Sequence, residues 1–346
     1  MKKVVIIGGG FAGTTVAKKL NGKCNLTLID TEDYFEYTPG ILRVLVEPEH
    51  YKKLHVKHKD YLSNTKVVVG HVKKIEDNKV ILASNEKINY DYLVIASGSN
   101  YNNPIKEEDT FFATRVKHLL EANKKIQKSN RIVIVGGGLV GVELATELAT
   151  HYNDKKISII SAGPKLLERN NEKTSEYARK FLEKRGVEMN FNEKIVDKTK
   201  KEIIGESGKK YHYDMAFFTV GIKPNIGFMQ GDFSKFAPKG IEVNEYLQIP
   251  QMENIFVAGD VSNIVEEKTA QNAEKHGKVV AQNLLAHMNG RKMQKYISKK
   301  RLMVISLGKN SGVIEYKKFI MTGWIPAILK SCIEKRVMSR FRKKFI

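Results

Sequence analysis

KKVVIIGGGFAGTTVAKKL, residues Lys2 to Leu20, decides the fold. The apolar run from Val4 to Ile7 reads as a buried parallel strand, and Gly8-x-Gly10-x-x-Gly13 then opens a segment of helix formers. Each glycine has its own task. Gly8 makes the tight turn, Gly10 lets a pyrophosphate approach the backbone, and Gly13 lets the helix pack on the strand. Phe11 and Ala12 lie between them on the first helical turn, whose unpaired N–H groups and partial positive charge favour phosphate. A second strand, Asn25 to Ile29, ends in Asp30, 22 residues after Gly8, where a carboxylate accepts both ribose hydroxyls of a dinucleotide.

NRIVIVGGGLVGVELATELA, Asn130 to Ala149, repeats strand, Gly136-x-Gly138-x-x-Gly141 and helix, with Leu139 and Val140 on the first turn. Two such sites imply two dinucleotides. The economical pair is a held flavin dinucleotide and an exchanging nicotinamide, because a flavin takes a hydride and passes its electrons on. At the ribose position the second copy has Ser161, 25 residues after Gly136, where an acid would favour NADH. With Lys165 and Arg169 nearby, NADH and NADPH both fit. Glu143 follows the second motif on the first helical turn; it is either a carboxylate favoured by the helix dipole or a group facing the nicotinamide and flavin.

A chain of 346 residues with 42% hydrophobic and 28% charged residues is long enough for two or three folded domains and excludes disorder as the main state. The net charge of +21 is uneven: residues 291–346 carry 16 Lys/Arg against the two acids Glu315 and Glu334. That asymmetry implies an anionic partner, lipid or nucleic acid, unless it is simply a solvated face. Two distant cysteines, Cys24 and Cys332, form neither a disulfide framework nor a zinc motif, and no metal is expected. They suit a reducing compartment. No apolar run reaches the ~18 residues of a membrane span. The start MKKVVII is read as a strand rather than a signal peptide, which points to the cytoplasm, with attachment to the inner face of the cell membrane.

The paired motifs GGGFAG and GGGLVGVELA resemble those of the two-dinucleotide flavoprotein oxidoreductases. YDYLVIASGS (Tyr90–Ser99) is similar to the family's strand and turn before the nicotinamide domain, FFTVGIKPN (Phe217–Asn225) to its return strand, and ENIFVAGDVS (Glu253–Ser262) to its second flavin motif. The resemblance implies FAD contacts at Ala96, Gly98, Gly259 and Asp260, with Asp260 on the ribityl chain, at Val72 by the adenine, and a nicotinamide-side contact at Gly221. The chain has no CxxxxC or CxxC pair of the disulfide reductases and lacks the several cysteines of sulfide–quinone reductases. Electrons must then leave without a thiol relay.

Within the family the resemblance is to type II NADH dehydrogenases and the apoptosis-inducing-factor-like ferroptosis suppressor proteins. DYFEYTPGILRVLVEPE (Asp33–Glu49), which holds Arg43, and EKTAQNAEKHGKVVAQNL (Glu267–Leu284), which holds Ala270, carry it and imply FAD contacts at both residues. Ala270-Gln271-x-Ala273 fits the type II pattern, but Lys275 or His276 stands where the next glutamine is expected, and Lys268 is similar to the lysine of the ferroptosis group. The resemblance implies that Lys268 and Gln271 lie near the flavin's reactive edge. The alternative is an exposed Lys268 and a Gln271 that caps the helix; on either reading His276 is at the surface or in packing.

In the tail, Ile325, Ile328, Leu329, Cys332 and Ile333 share one helical face, with Pro326 near its start. After Arg336 the stripe moves to Val337, Met338, Phe341 and Phe345, which predicts a bend or two short helices. Trp324 suits the headgroup level, and Lys330, Lys335, Arg336, Arg340, Arg342, Lys343 and Lys344 suit an anionic membrane surface, each contributing about 1 kcal/mol there. The competing expectation is a helix packed on its own domain or on a homodimer partner.

The expected architecture is α/β, with two Rossmann-like domains. Residues 1–112 and 235–290 form the FAD domain, 113–234 the NAD(P)H domain, and 291–346 a C-terminal region of basic amphipathic helices facing membrane and quinone. The expected activity is ping-pong hydride transfer from NADH or NADPH to FAD, followed by two-electron reduction of a quinone, without proton pumping. A reductase of a soluble electron carrier or of oxygen is one rival. A flavoprotein with a nucleic-acid-binding tail is the other, and the aliphatic stripe fits lipid better than bases.

Overall fold

Ile7 and Val135 end the central strands of two parallel sheets that repeat one another. In the computed structural model, which describes residues 1–101, 116–300 and 302–342, the first sheet has the order Gln248–Ile249, Met252–Val257, Tyr92–Ile95, Lys3–Ile7, Asn25–Asp30, Thr65–Val69. All its neighbours pair in parallel except the first two. The second sheet has the order Glu188–Asn190, Lys156–Ile160, Arg131–Val135, Met215–Phe218 and is wholly parallel. Val4, Val5 and Ile6 in one and Ile132, Val133 and Ile134 in the other are all buried to within 2%. Strands covered on both faces must read as apolar runs without alternation, and these do.

Each sheet is accompanied by a small antiparallel one: Val72–Glu76, Lys79–Leu82 and Lys87–Asn89 in the first half, Ile195–Lys198, Glu202–Gly205 and Lys210–His212 in the second. The halves are joined by the antiparallel pair Ser99–Tyr101 and Ile222–Pro224. Beside that pair, the Ser97 hydroxyl donates to the Asn225 carbonyl and the Asn225 amide to the Ser97 carbonyl, both at 2.8 Å. The expected boundary between residues 112 and 113 lies outside the described residues.

The C-terminal region departs from expectation. Met303–Ser306, Gly312–Tyr316 and Phe319–Gly323 form an antiparallel sheet, not helices. The cause is local: Tyr316 pairs directly with Phe319, and Lys317 at φ 54° makes the two-residue turn. Two lysines at that turn disguise a hairpin as part of a basic tail.

Trp324–Arg342 is then one continuous helix, without the division into two predicted after Arg336. The stripe changes sides because the helix has two differently used faces. Its inner face carries Ala327, Met338 and Phe341, all buried, with Lys330 and Glu334 between them. Its outer face carries Trp324, Ile325 and Ile328, which are 65%, 44% and 53% exposed, and the exposed Cys332. The expectation of a bend rests on one surface covering every apolar residue, whereas the two stripes meet different surroundings.

Three of the cations assigned to lipid are also spoken for. Lys330 pairs with Glu143, Arg340 with Glu274 at 3.0 Å, and Arg342 donates to the carbonyls of Lys52 and Lys53 at 3.1 and 2.8 Å. Lys335 and Arg336 are exposed; Lys343, Lys344 and Phe345 lie outside the described residues. Among the described residues no helix is long and apolar enough to cross a membrane.

Candidate active site

The two glycine turns share a geometry set by their strands. Gly8 donates to the Ile29 carbonyl at 2.8 Å and Gly136 to the Ile160 carbonyl at 2.7 Å, so each turn crosses the end of its neighbouring strand. Gly8 (φ 98°) and Gly136 (φ 119°) adopt a backbone that favours glycine. A Cβ on Gly13 would collide with the Gly8 carbonyl, and one on Gly141 with the Gly136 carbonyl. Gly10 and Gly138 differ: each is the N-cap of its helix at ordinary φ, −74° and −77°, without a side-chain cap. A Cβ on either would meet no heavy atom within 4 Å. The first-turn N–H groups beside Phe11 and Ala12, and beside Leu139 and Val140, thus face open space, and these residues fit a pyrophosphate at both positions.

Asp30 accepts the Gly9 N–H at 2.7 Å and the Thr31 N–H at 2.6 Å, which aims its carboxylate at the first turn. In the second copy, a Cβ on Gly137 would lie 2.9 Å from the Ser161 hydroxyl, so Ser161 stands where Asp30 stands in the first. Lys165 is paired with Glu172, and the highly exposed Arg169 lies 3.8 Å from Glu267. Both cations near the ribose position thus already have acidic partners. Ala96, buried, donates to the Ile7 carbonyl at 2.8 Å; Gly98 (φ 67°) and Gly221 (φ 69°) turn the two strands that join the halves; Val72 starts the first antiparallel sheet.

The Glu253–Ser262 segment is held from behind. Gly259 (φ 83°) donates to His276 Nδ1 at 3.0 Å, and His276 Nε2 lies 2.9 Å from Glu266 Oε1. His276 is therefore a buried strut, the packing role of the two expected for it. Burial works against Glu266's ionisation, but its bonds to His276, Ser298 and Tyr296 prevail and bring its pKa down to about 2. Asp260 accepts from the Ser99 hydroxyl at 3.1 Å; burial raises its pKa, and Ser99 and Lys268 offset part of the effect.

Lys268 is not solvent-exposed. It donates to the carbonyls of Ser262 and Ile264 at 2.8 and 3.1 Å, and burial lowers its pKa. Ala270 begins the following helix, which Thr269 caps by accepting the Asn272 N–H at 3.3 Å. Gln271 is exposed and donates to the Leu302 carbonyl at 3.1 Å, so it neither caps the helix nor shares a partner with Lys268.

Glu143 is buried and accepts the Ser306 N–H at 2.8 Å and the Lys330 ammonium on the same oxygen. One helical turn on, Glu147 holds Arg43 at 3.0 Å. His50 Nε2 lies 3.2 Å from Glu334 Oε2. These three pairs line one polar cleft of about 20 Å³, room for a single water, where both halves meet the C-terminal helix. The sequence reading missed Lys330, Glu147, His50 and Glu334. A signal existed for Lys330: it is the only charge between Lys318 and Glu334, and a buried Glu143 needs a cation.

Glu36 was also missed. Both its carboxyl oxygens are buried without a hydrogen-bond partner among the described residues, and burial, with Glu32 and Asp30 nearby, pushes its pKa up to about 8. The folded protein therefore binds a proton here that the unfolded chain has released. The contribution is full below about pH 4.5 and is lost as pH rises through about 8, at up to about 1.4 kcal/mol per pH unit. Glu36→Gln is expected to match the wild type in thermal stability at pH 5 and to exceed it at pH 8.5 by several degrees; differential scanning calorimetry of the flavin-free protein checks this.

Residues 2–277 match the family model for pyridine nucleotide-disulphide oxidoreductases. Apoptosis-inducing factor homolog B of Dictyostelium discoideum is 31% identical over 93% of this chain and 91% of its own length. NDH2 of Plasmodium falciparum, solved in complex with NADH, superposes with a TM-score of 0.87 at 16% identity, covering 99% of this chain and 97% of that one. The sulfide:quinone oxidoreductase of Aquifex aeolicus gives 0.86 at 22%, covering 99% and 92%. With both glycine turns fitted to dinucleotides and the match spanning both, the chain belongs to the pyridine nucleotide-disulphide oxidoreductase family, as an FAD-dependent NAD(P)H oxidoreductase.

Proposed function

We propose that this protein is an FAD-dependent NAD(P)H:quinone oxidoreductase that works against a membrane surface. The observation that carries the reading is the two-faced C-terminal helix. Its inner face supplies Lys330 to Glu143 at the nicotinamide-side helix, while its outer face leaves Trp324, Ile325 and Ile328 uncovered. An apolar outer face beside exposed Lys335 and Arg336 suits a lipid-water boundary and an acceptor dissolved in lipid. NDH2, solved with NADH, and the sulfide:quinone oxidoreductase have the same fold and support the reading.

FAD, when bound, supplies the redox chemistry: it takes a hydride and gives up two electrons. The chain's own residues bind and orient. The Gly138 turn receives the nicotinamide pyrophosphate, and the Gly10 turn with Asp30 receives that of FAD. Lys268 keeps a cation beside Asp260, where negative charge needs an opposite. The Glu143–Lys330, Arg43–Glu147 and Glu334–His50 pairs close the cleft between the halves and the helix, restricting water. In the net reaction, NAD(P)H gives two electrons and one proton, water gives the second proton, and the quinone becomes a quinol.

Charging the outer face tests this reading. Ile325→Glu with Ile328→Glu is expected to lower binding to anionic liposomes and turnover of a long-chain quinone at least tenfold, while a short-chain, water-soluble quinone is reduced as before. Unchanged liposome flotation would sink the membrane part of the reading, and a soluble protein acceptor would then be favoured.

A further inference from the structure

His58 is fully buried and faces the first nucleotide turn from behind. Its Nε2 lies 3.4 Å from Asp30 Oδ2, the same oxygen that accepts the Gly9 N–H, and has no hydrogen-bond partner among the described residues. A Cβ on Gly9 would lie 2.5 Å from that nitrogen, so only glycine leaves room for it. The other ring nitrogen, Nδ1, is bonded to the Tyr61 hydroxyl. Burial, with Asp30 adding to it, drives the Tyr61 pKa far above its ordinary value, so the hydroxyl keeps its proton. When the Tyr61 hydroxyl donates to Nδ1, a neutral ring carries its own proton on Nε2, the atom that faces Asp30.

Tyr61 connects onward to the far end of the chain. Its ring meets Phe341 edge-on at 5.0 Å, and Phe341 stacks on Phe35 at 4.2 Å. Phe35 meets Phe11, the first residue of the dinucleotide-binding helix, edge-on at 5.1 Å. Lys18 on that same helix donates to the Arg340 carbonyl at 2.7 Å and stands 4.5 Å over the Phe341 ring. The last turn of the C-terminal helix thus rests on the residues that set the ribose acid and the phosphate turn.

We propose that Phe341, Tyr61 and His58 are positioning residues that make FAD binding and docking of the C-terminal helix one coupled equilibrium. Docked Phe341 fixes Tyr61, Tyr61 fixes the His58 tautomer, and His58 holds Asp30 for the FAD ribose. None of the three needs to touch the flavin ring. Coupling of this kind is reciprocal: whatever factor the docked helix adds to FAD affinity, FAD adds to helix docking, on the order of 5- to 150-fold. The inference rests on the family's use of FAD and is independent of the electron acceptor.

The experiment measures FAD release from the full-length holoenzyme on dilution, by the fluorescence of freed flavin, for the wild type, Phe341→Ala and Tyr61→Phe. Hydrogen exchange of residues 330–342 is followed with FAD bound and after its removal. Release is expected to be about tenfold faster in Phe341→Ala and at least severalfold faster in Tyr61→Phe, and FAD is expected to slow exchange in the helix's last two turns. Wild-type release from both variants, or helix exchange indifferent to FAD, would overturn the proposal. If Phe341→Ala loses its fold by circular dichroism, Tyr61→Phe decides, because it keeps the ring packing and removes only the hydroxyl: wild-type release from it overturns the coupling.

Discussion

Gly138→Val is expected to leave the protein folded and loaded with FAD yet raise the KM for NADH and NADPH by more than a hundredfold, while Gly10→Val is expected to fold without retaining FAD. The asymmetry follows from the proposed assignment of held FAD to the first turn and exchanging NAD(P)H to the second; the geometry of the two turns is the same. Both glycines have backbone angles that any residue adopts, and a Cβ on either meets no protein atom within 4 Å, so valine costs the fold little. The open space is where a pyrophosphate comes against the helix N-terminus, and a branched side chain there removes both the close approach and the N–H contacts. Gly13 and Gly141 make the contrast, since any side chain on them strikes the carbonyl of Gly8 or Gly136 and damages the fold itself. Flavin absorbance of the purified variants, with steady-state kinetics, separates the cases. A flavin-free Gly138→Val would mean that the two turns are not assigned to separate nucleotides.

The second large effect concerns Glu143 and Lys330. Their side chains are only 9% and 19% exposed, so removing one partner leaves a charge in a site that water scarcely reaches. Lys330→Met or Glu143→Leu is expected to cost about 3 kcal/mol or more, seen as a drop of several degrees in Tm. The double variant Glu143→Leu/Lys330→Met is expected to recover most of that loss, because two apolar groups replace two charges. Its turnover is expected to stay at least tenfold below wild type. Stability would then be restored without function, which a purely structural ion pair would not produce. Recovery of full turnover in the double variant would reduce the pair to packing.

Much of the fold was legible because each dinucleotide unit is written locally. Val4–Ile7, the three glycines, the helix and Asp30 lie within 30 residues, and each spacing has one geometric meaning. The repeat at Arg131–Val135 and Gly136–Gly141 is read in the same way. The tail was not legible because its faces are assigned by partners far away in sequence. The lone charge of Lys330 hints at a buried partner, but nothing near it names Glu143, 187 residues earlier, or shows that Met338 and Phe341 pack inward while Ile325 and Ile328 stay outside. Nor does the stretch around Tyr316 and Phe319 stand out as a hairpin when its turn is made by lysines. His58 and Tyr61 follow no motif; their place behind Asp30 appears only once Gly9 has been built.

The central claim is the electron route from nicotinamide through FAD to quinone with no thiol in between. The direct measurement is an anaerobic double mix: the holoenzyme is reduced with one equivalent of NADH, then mixed with a short-chain quinone while flavin absorbance is followed. Complete return of the oxidised spectrum, at a rate no slower than steady-state turnover and with one quinol formed per NADH, is the predicted result. Flavin that stays reduced in the presence of quinone and reoxidises only when oxygen or a carrier protein is admitted would contradict it.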